Sequence, residues 1–448
     1  MDKPAIRVIV FAFALVLSGS SISCANPDGE EVIEERDFDG VAQPSPSADT
    51  QEERDFDQVP EPSPSVGTQA KESHQDEVPE IKIFYNNPLS FDRPSENCIS
   101  SVCKGLLELI NSADKTIDIA VYGMRNQSIL LEALERARRR GVLIRGIVDV
   151  DNDGEYYYIS TPEWSSILGP FKTDTTVNEC DIPNHWNEIM HNKFMIVDGS
   201  AVWTGSTNIS DTGTGGYNAN IAAIFKSESV ASTYSQEFEQ MWSGQFACNK
   251  QRHFAEVIKF PDAEVSIWFS PQDRPLVDQV IPLIENAQDQ IDIAVFYLTS
   301  EEVTNAIIEA NARKVDVRVI VGATSAENAS SKHDVLRSAG VPLKIESWGG
   351  KMHMKAASID GRYLILGSMN WTNAGNGTND ENTVIIDSSN LSIEFSSFFN
   401  ELWESIPSRW GLEGERPLPE SLDSGTSCYD GIDNDFDPYI DEDDWDCD

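Results

Sequence analysis

Basic residues are scarce in this chain: 33 Lys and Arg stand against 75 Asp and Glu among 448 residues, a formal net charge of −42. The deficit is uneven. Residues 1–80 hold 18 acidic and 5 basic side chains and residues 412–448 hold 14 and 1, so residues 81–411 keep 43 and 27. A protein that lives on phosphate backbones usually carries a basic footprint. None is visible at this level, which counts against a nucleic-acid partner. Histidine is rarer still, six in all, with no cluster of the kind that ligates a metal. Long apolar runs are missing too: the run at 8–17 is too short to span a bilayer.

That run has another use. Lys3 and Arg7 precede it and small residues 18–23 follow, the layout of an export signal over residues 1–25. Cys24 is a candidate for lipid attachment, with simple cleavage near Ala25 as the alternative. Export suits the seven cysteines. Setting Cys24 aside leaves six, enough for three disulfides in an oxidising compartment; the expected pairs are Cys98 with Cys103, Cys180 with Cys248 and Cys428 with Cys447, against free buried thiols. Residues 26–80 contain a tandem repeat, Glu34-Glu35-Arg36-Asp37-Phe38-Asp39 recurring as Glu52-Glu53-Arg54-Asp55-Phe56-Asp57, each followed by Pro-Ser-Pro-Ser. Such an acidic, Pro- and Ser-rich stretch buries too little apolar surface to offset its ordering entropy, so a disordered linker is expected.

From residue 81 the pattern turns globular, and it does so twice. Strand, helix, strand, helix, strand is expected over 81–85, 98–113, 116–122, 128–140 and 142–148, and again over 265–269, 276–287, 290–297, 301–313 and 316–321. Wording repeats as well: Thr116-Ile117-Asp118-Ile119-Ala120-Val121-Tyr122 answers Gln290-Ile291-Asp292-Ile293-Ala294-Val295-Phe296. The expectation is an α/β protein of two pseudo-symmetric α/β/α lobes, 81–250 and 251–411, each a mixed sheet flanked by helices, with the active site between them. In the acidic tail, 412–448, Asp433, Asp435, Asp437, Asp441 and Asp444 keep the rhythm of a calcium loop. Pro438 stands where such loops want Gly and Asp444 where a Glu is usual, so a solvated acidic tail is the alternative.

Each half closes on the same motif. His191-Asn192-Lys193 leads to Asp198-Gly199 and on to Gly205-Ser206-Thr207-Asn208; His353-Met354-Lys355 leads to Asp360-Gly361 and Gly367-Ser368-Met369-Asn370 at the same spacing. A His two residues from a Lys shares its strand face. Each copy reads as a hairpin turning at Asp-Gly. Doubled across an interface, two His, two Lys, two Ser and two Asn make a site for a phosphate-sized anion, with compact charge from Lys and orientation from hydroxyls and amides.

These residues resemble the phospholipase D superfamily, whose signature is His-x-Lys-x4-Asp followed by Gly-Ser-x-Asn. The resemblance covers about residues 81–405. It implies that His191 attacks phosphorus to form a phosphohistidine while His353 protonates the leaving alcohol. It also implies that Lys193, Lys355, Asn208 and Asn370 hold the phosphate, that Ser206 and Ser368 line it, and that catalysis needs no metal cofactor. Asp198 and Asp360 belong to the signature and join the catalytic set, although their place before Gly at a turn predicts structural support. Family members often orient the catalytic His with a downstream acid. Here Glu381 in Asn379-Asp380-Glu381-Asn382 is expected to orient His353, whereas Tyr217-Asn218-Ala219-Asn220 offers Ala at that place and leaves His191 to Asn218, Asn220 or Asp211.

The resulting expectation is a secreted or envelope-attached monomer, a phosphodiesterase that cuts phospholipids at a membrane surface to phosphatidate and a free head group. A metal-independent nuclease of the same superfamily is the alternative, favoured by lobes with few insertions. A calcium-dependent binding module on an inactive scaffold is the third.

Overall fold

The computed structural model describes residues 78–151, 154–174, 188–252 and 256–407. The export signal, the linker up to residue 77, the tail with Asp433, Asp435, Asp437, Asp441 and Asp444, and Cys180, Cys428 and Cys447 lie outside the described residues.

Within them the duplicated pattern becomes two mixed sheets. Strands β1 (Glu80–Asn86), β2 (Thr116–Val121), β3 (Leu143–Val148), β4 (Phe171–Thr173), β5 (Lys193–Val197), β6 (Ala201–Gly205) and β7 (Asn220–Lys226) lie in the order β1-β7-β6-β5-β2-β3-β4. The second sheet contains β8 (Ile258–Phe260), β9 (Ala263–Ser270), β10 (Gln290–Val295), β11 (Asp316–Val321), β12 (Leu343–Ile345), β13 (Lys355–Ile359), β14 (Tyr363–Gly367) and β15 (Glu381–Asp387). Its order is β8-β9-β15-β14-β13-β10-β11-β12. Apart from β8 the two orders match strand for strand. The pairs made by strand-helix-strand units are parallel, β2 with β3 and β10 with β11, while the motif hairpins are antiparallel.

The middle strands are buried on both faces, and their alternation divides the apolar residues between two cores. Phe194 and Ile196 of β5 face a core shared by both lobes, while Met195 and Val197 face the helices Ser101–Ser112 and Ser128–Arg140 of the first lobe. Ala356 and Ala357 of β13 divide in the same way. The shared core also takes Phe238 and Phe395 from the long helices Glu228–Trp242 and Ser389–Ser405, so the lobes are joined by a continuous apolar layer. None of the helices among the described residues is long and apolar enough to cross a membrane.

Local expectations mostly hold, with shifts that have physical causes. The helix expected from 98 starts at Ser101, because the Ser100 hydroxyl caps it by accepting from Cys103 N–H. Cys98 and Cys103 form the expected disulfide across this start. Cys248 is disulfide-bonded as well. The stretch expected as helix over 276–287 opens with a π-helical turn, Leu276–Val280, before the α-helix Ile281–Asn286.

Candidate active site

The two Asp of the signature sit at the wrong end of their strands for chemistry. Asp198 and Asp360 take left-handed backbone (φ 52° and 53°) and are followed by Gly199 and Gly361, also at positive φ. Asp198 accepts from the backbone N–H groups of Asp114, Lys115 and Thr116 at 2.7–2.8 Å. Asp360 does the same for Gln288, Asp289 and Gln290. Burial pushes the Asp198 carboxyl up, but the three N–H donors outweigh it and leave the group below its usual range. Asp198 lies seven positions after His191, with β5 between them, roughly 23 Å at full extension. Their place in the catalytic set is therefore corrected: they tie each motif hairpin to the start of β2 or β10.

At the other strand end the lobes exchange residues. The backbone N–H of His191 donates to Asp380 O at 3.0 Å and that of His353 donates to Ala219 O at 3.0 Å. Return bonds run from Asp380 N–H to Ile189 O and from Ala219 N–H to Lys351 O. Each lobe thus contributes one short rung to the other, just ahead of β15 and β7. The next residue in each case reaches the histidine ring. Glu381 lies 2.8 Å from His191 Nδ1 through either oxygen, and Asn220 Oδ1 lies 3.2 Å from His353 Nδ1. The expected pairing is overturned: Glu381 holds His191, across the lobe interface. Neither Asn218 nor Asp211 serves His191. Asn218 accepts from Lys351 N–H, and Asp211 is bound by Arg125 and Asn126.

Both rings are buried, 1% exposed for His191 and 2% for His353. Tyr122 meets His191 edge-on at 5.3 Å, and Phe296, its counterpart after β10, meets His353 at 5.0 Å. Lys193 Nζ donates to His191 O at 2.8 Å and lies over Tyr122; Lys355 Nζ donates to His353 O at 3.1 Å and lies over Phe296. Two buried ammonium groups so stand beside the two imidazoles. Asn208 and Asn370 are each 6% exposed. Asn208 Oδ1 and Thr207 Oγ1 have no hydrogen-bond partner among the described residues, which leaves both oxygens available to a bound group.

The two Ser bond the residues that meet the histidine rings. Ser206 donates to Asn220 Oδ1 at 2.8 Å and Ser368 donates to the Glu381 carboxylate at 2.6 Å. They fix the groups that fix the histidines. Gly precedes each for a steric reason, since a Cβ at Gly205 would lie 2.3 Å from Ile221 O and one at Gly367 2.2 Å from Asn382 O. Those same carbonyls accept the Ser206 and Ser368 N–H groups.

Buried acids support each histidine from behind. Met190 N–H donates to Asp149 at 2.7 Å and to Asp174 at 3.2 Å. In the second lobe Glu346 does this for Met352, and burial pushes its carboxyl up to about 8. Burial and the neighbouring Asp174 push Asp149 well above the carboxylate range.

The family profile described as cardiolipin synthase, PLD-like domain matches this chain twice, over residues 106–242 and 280–403, more than half its length and one match per lobe. The chain belongs to the phospholipase D superfamily. Mitochondrial cardiolipin hydrolases are among its relatives: that of Xenopus laevis is 34% identical over 134 residues, 30% of this chain and 64% of that protein. The Chlamydomonas reinhardtii protein is 30% identical over 128 residues, 29% of this chain and 57% of that protein. The chain therefore spans about three fifths of the cardiolipin hydrolases it matches. A phospholipase D from Rickettsia prowazekii is 27% identical over 143 residues, 32% of this chain and 69% of that protein. Among solved structures, phosphatidylserine synthase from Haemophilus influenzae superposes with a TM-score of 0.54 at 15% identity, covering 71% of this chain and 86% of the other, which shows the fold.

Superfamily membership does not by itself place Asn220, expected as one of three candidates to orient His191 and found on His353 instead. The loops between the Gly-Ser pair and the next strand differ by one residue. Matching local wording sets Asn218-Ala219-Asn220 against Asp380-Glu381-Asn382, and that register is wrong. The usable signal lies downstream: Ser227 and Ser388 each precede the long closing helix, and counting back seven residues from either reaches Asn220 and Glu381.

Proposed function

We propose that this superfamily member hydrolyses phospholipid phosphodiesters through a phosphohistidine on His191. The observation that carries the reading is the pair of buried histidines, each held through Nδ1 by a residue of the other lobe and each beside a buried Lys. A ring whose Nδ1–H is held presents its Nε2 lone pair to substrate. In the first step His191 Nε2 forms a bond to phosphorus, the bond from phosphorus to the leaving oxygen breaks, and His353 gives that oxygen its proton, freeing the head-group alcohol. In the second, neutral His353 takes a proton from water, the water oxygen bonds to phosphorus and the P–N bond breaks, releasing phosphatidate and restoring both rings. Lys193 and Lys355, with the Asn208 and Asn370 amides, neutralise and orient the phosphoryl oxygens.

Assigning attack to His191 follows from charge. During the covalent step the modified imidazole is cationic, and Glu381 is a carboxylate at hydrogen-bond distance from it, whereas His353 faces a neutral amide. The surplus of acidic over basic residues across 81–411 favours a lipid over a nucleic acid. The names of the relatives given above, cardiolipin hydrolases and a phospholipase D, agree with a phospholipid. Purified protein incubated in EDTA with phosphatidylcholine vesicles and, separately, with single-stranded DNA tests this. Head-group release without DNA cleavage is expected; DNA cleavage alone would establish the nuclease reading. Inertness on both, equal to that of His191→Ala, would leave only a binding role. We also propose export, on the signal over residues 1–25, and cell fractionation that finds a cytosolic pool would overturn it.

A further inference from the structure

The pseudo-two-fold between the lobes is broken next to Glu381. Asp380, the residue whose backbone carbonyl holds the His191 N–H, sends its carboxylate into the interior, where it meets Lys250 Nζ at 2.7 Å and accepts from Ala247 N–H at 2.9 Å. Lys250 also binds the Glu237 carboxylate and donates to Ser270 O at 3.0 Å. All three charged side chains are buried, 0% exposed for Glu237, 4% for Lys250 and 2% for Asp380. They come from three separate places: the closing helix of the first lobe, the connector between the lobes, and the entry to β15. Among the described residues no matching ion-paired set stands behind the second histidine. The counterpart of Asp380 is Ala219, and counting from the helix caps the counterpart of Glu237 is Phe398, which stacks on Tyr85.

Breaking a buried ion pair by removing one partner is strongly destabilising, and replacing the whole set by apolar residues is often neutral or better, so stability alone is a weak reason for this triad. Position is a better one. Asp380 can place its carbonyl on His191 and Glu381 on the ring only if the entry to β15 is held in register against the first lobe. Burial pushes the Asp380 carboxyl up, Lys250 pulls it back and Glu237 pushes it up, leaving it at about 7.

We propose that Lys250 is a positioning residue of the active site, acting with Glu237 and Asp380 to hold Glu381 against His191. The inference rests on the phosphodiesterase reading for its kinetic consequence, but its structural consequence is independent of it. The triad is a joint between the lobes that stands behind His191 and has no match behind His353 among the described residues.

The test uses the full chain labelled with ¹⁵N-histidine. A low-field Nδ1–H resonance from the His191–Glu381 bond is expected in the wild type and is assigned by its upfield shift in Glu381→Gln, where a neutral amide oxygen is the weaker acceptor. In Lys250→Met and, as the variant that keeps its shape and is expected to stay folded, in Glu237→Gln, this signal should broaden or vanish while circular dichroism is unchanged. On a phosphodiester substrate kcat should fall at least tenfold in Lys250→Met with KM within twofold. Placed on a Glu381→Gln background, Lys250→Met should cost less than twofold more. A folded Glu237→Gln or Lys250→Met that keeps the resonance, or losses that multiply on the Glu381→Gln background, would overturn the proposal. A wild type that shows the resonance but cleaves no phosphodiester would defeat the functional reading and leave the positioning role standing.

Discussion

Replacing Glu381 by Gln separates the two histidines most cleanly. The carboxylate is fully buried, holds His191 Nδ1 at 2.8 Å, and accepts from Ser368 Oγ at 2.6 Å. Gln has the same shape and keeps one acceptor oxygen, so the packing survives and the change removes chiefly a charge. With imidazolium and carboxylate centres about 4 Å apart and an effective dielectric constant of about 20, that charge is worth about 4 kcal/mol. At 1.36 kcal/mol per factor of ten this is roughly a 10³-fold loss in the step that puts positive charge on His191. The matched change on the other ring, Asn220→Ala, removes one neutral hydrogen bond of 3.2 Å, worth about 0.5–1.5 kcal/mol and so roughly a 3- to 10-fold loss. Single-turnover cleavage of a p-nitrophenyl phosphodiester, with intact-protein mass measured after acid quench, reads both the rate and the covalent adduct. The adduct should form slowly in Glu381→Gln and at near-normal rate in Asn220→Ala. Equal losses in the two variants, or a Glu381→Gln enzyme within threefold of wild type, would refute the charge argument. An adduct that survives His191→Asn would reverse the assignment of nucleophile.

Asp198→Ala should leave kcat within twofold and lower the melting temperature, because three backbone N–H groups lose their acceptor at a cost of about 1–2 kcal/mol. Its folded carboxyl lies below the ordinary 3.8, so this contribution is present at neutral pH and fades as pH falls through that lower value; melts of variant and wild type should converge there. Glu346→Gln acts in the opposite sense. A carboxyl raised from 4.5 to about 8 makes the fold progressively less stable as pH rises between those values. Melts of the variant from pH 5 to 8 should therefore be flatter than those of wild type, and a parallel pair of curves would show that Glu346 is not held protonated. Excess EDTA should leave turnover unchanged when head-group release is followed over time.

The motif residues were legible because their chemistry is local. His and Lys fall two positions apart at a strand start, Asn follows the Gly-Ser pair at the end of the next strand, and the Asp-Gly turn between them is written in two adjacent residues. The doubled order of strands and helices was legible for the same reason, since periodicity and repeated wording are properties of one stretch at a time. What escaped was everything that depends on one lobe meeting the other. Nothing in Asn379-Asp380-Glu381-Asn382 says whether its carboxylate turns back to His353 or crosses to His191; the crossing is set by the rung between Asp380 and His191, 189 residues apart in sequence. Asp149, Asp174 and Glu346 escaped because a lone acid at a strand end reads as a solvated side chain until the packing around it is known.

The crossing changes what the sequence difference means. While Glu381 was assigned to its own half, the odd residue in the first half looked like a defect at His191. With the exchange in place, the well-supported ring is His191, which has a carboxylate from β15 and a charged triad behind that carboxylate, and the lightly supported ring is His353, with one amide. A reaction in which one ring carries a covalent positive charge and the other only passes a proton back and forth needs that division. The ring that holds the phosphoryl group gains from a fixed negative charge, and the ring that must both release and recover a proton gains from a partner that favours neither state strongly. The single Glu and the single Asn are then two halves of one arrangement, and exchanging them, Glu381→Asn with Asn220→Glu, should move the covalent adduct toward His353 if charge rather than fold decides which ring attacks.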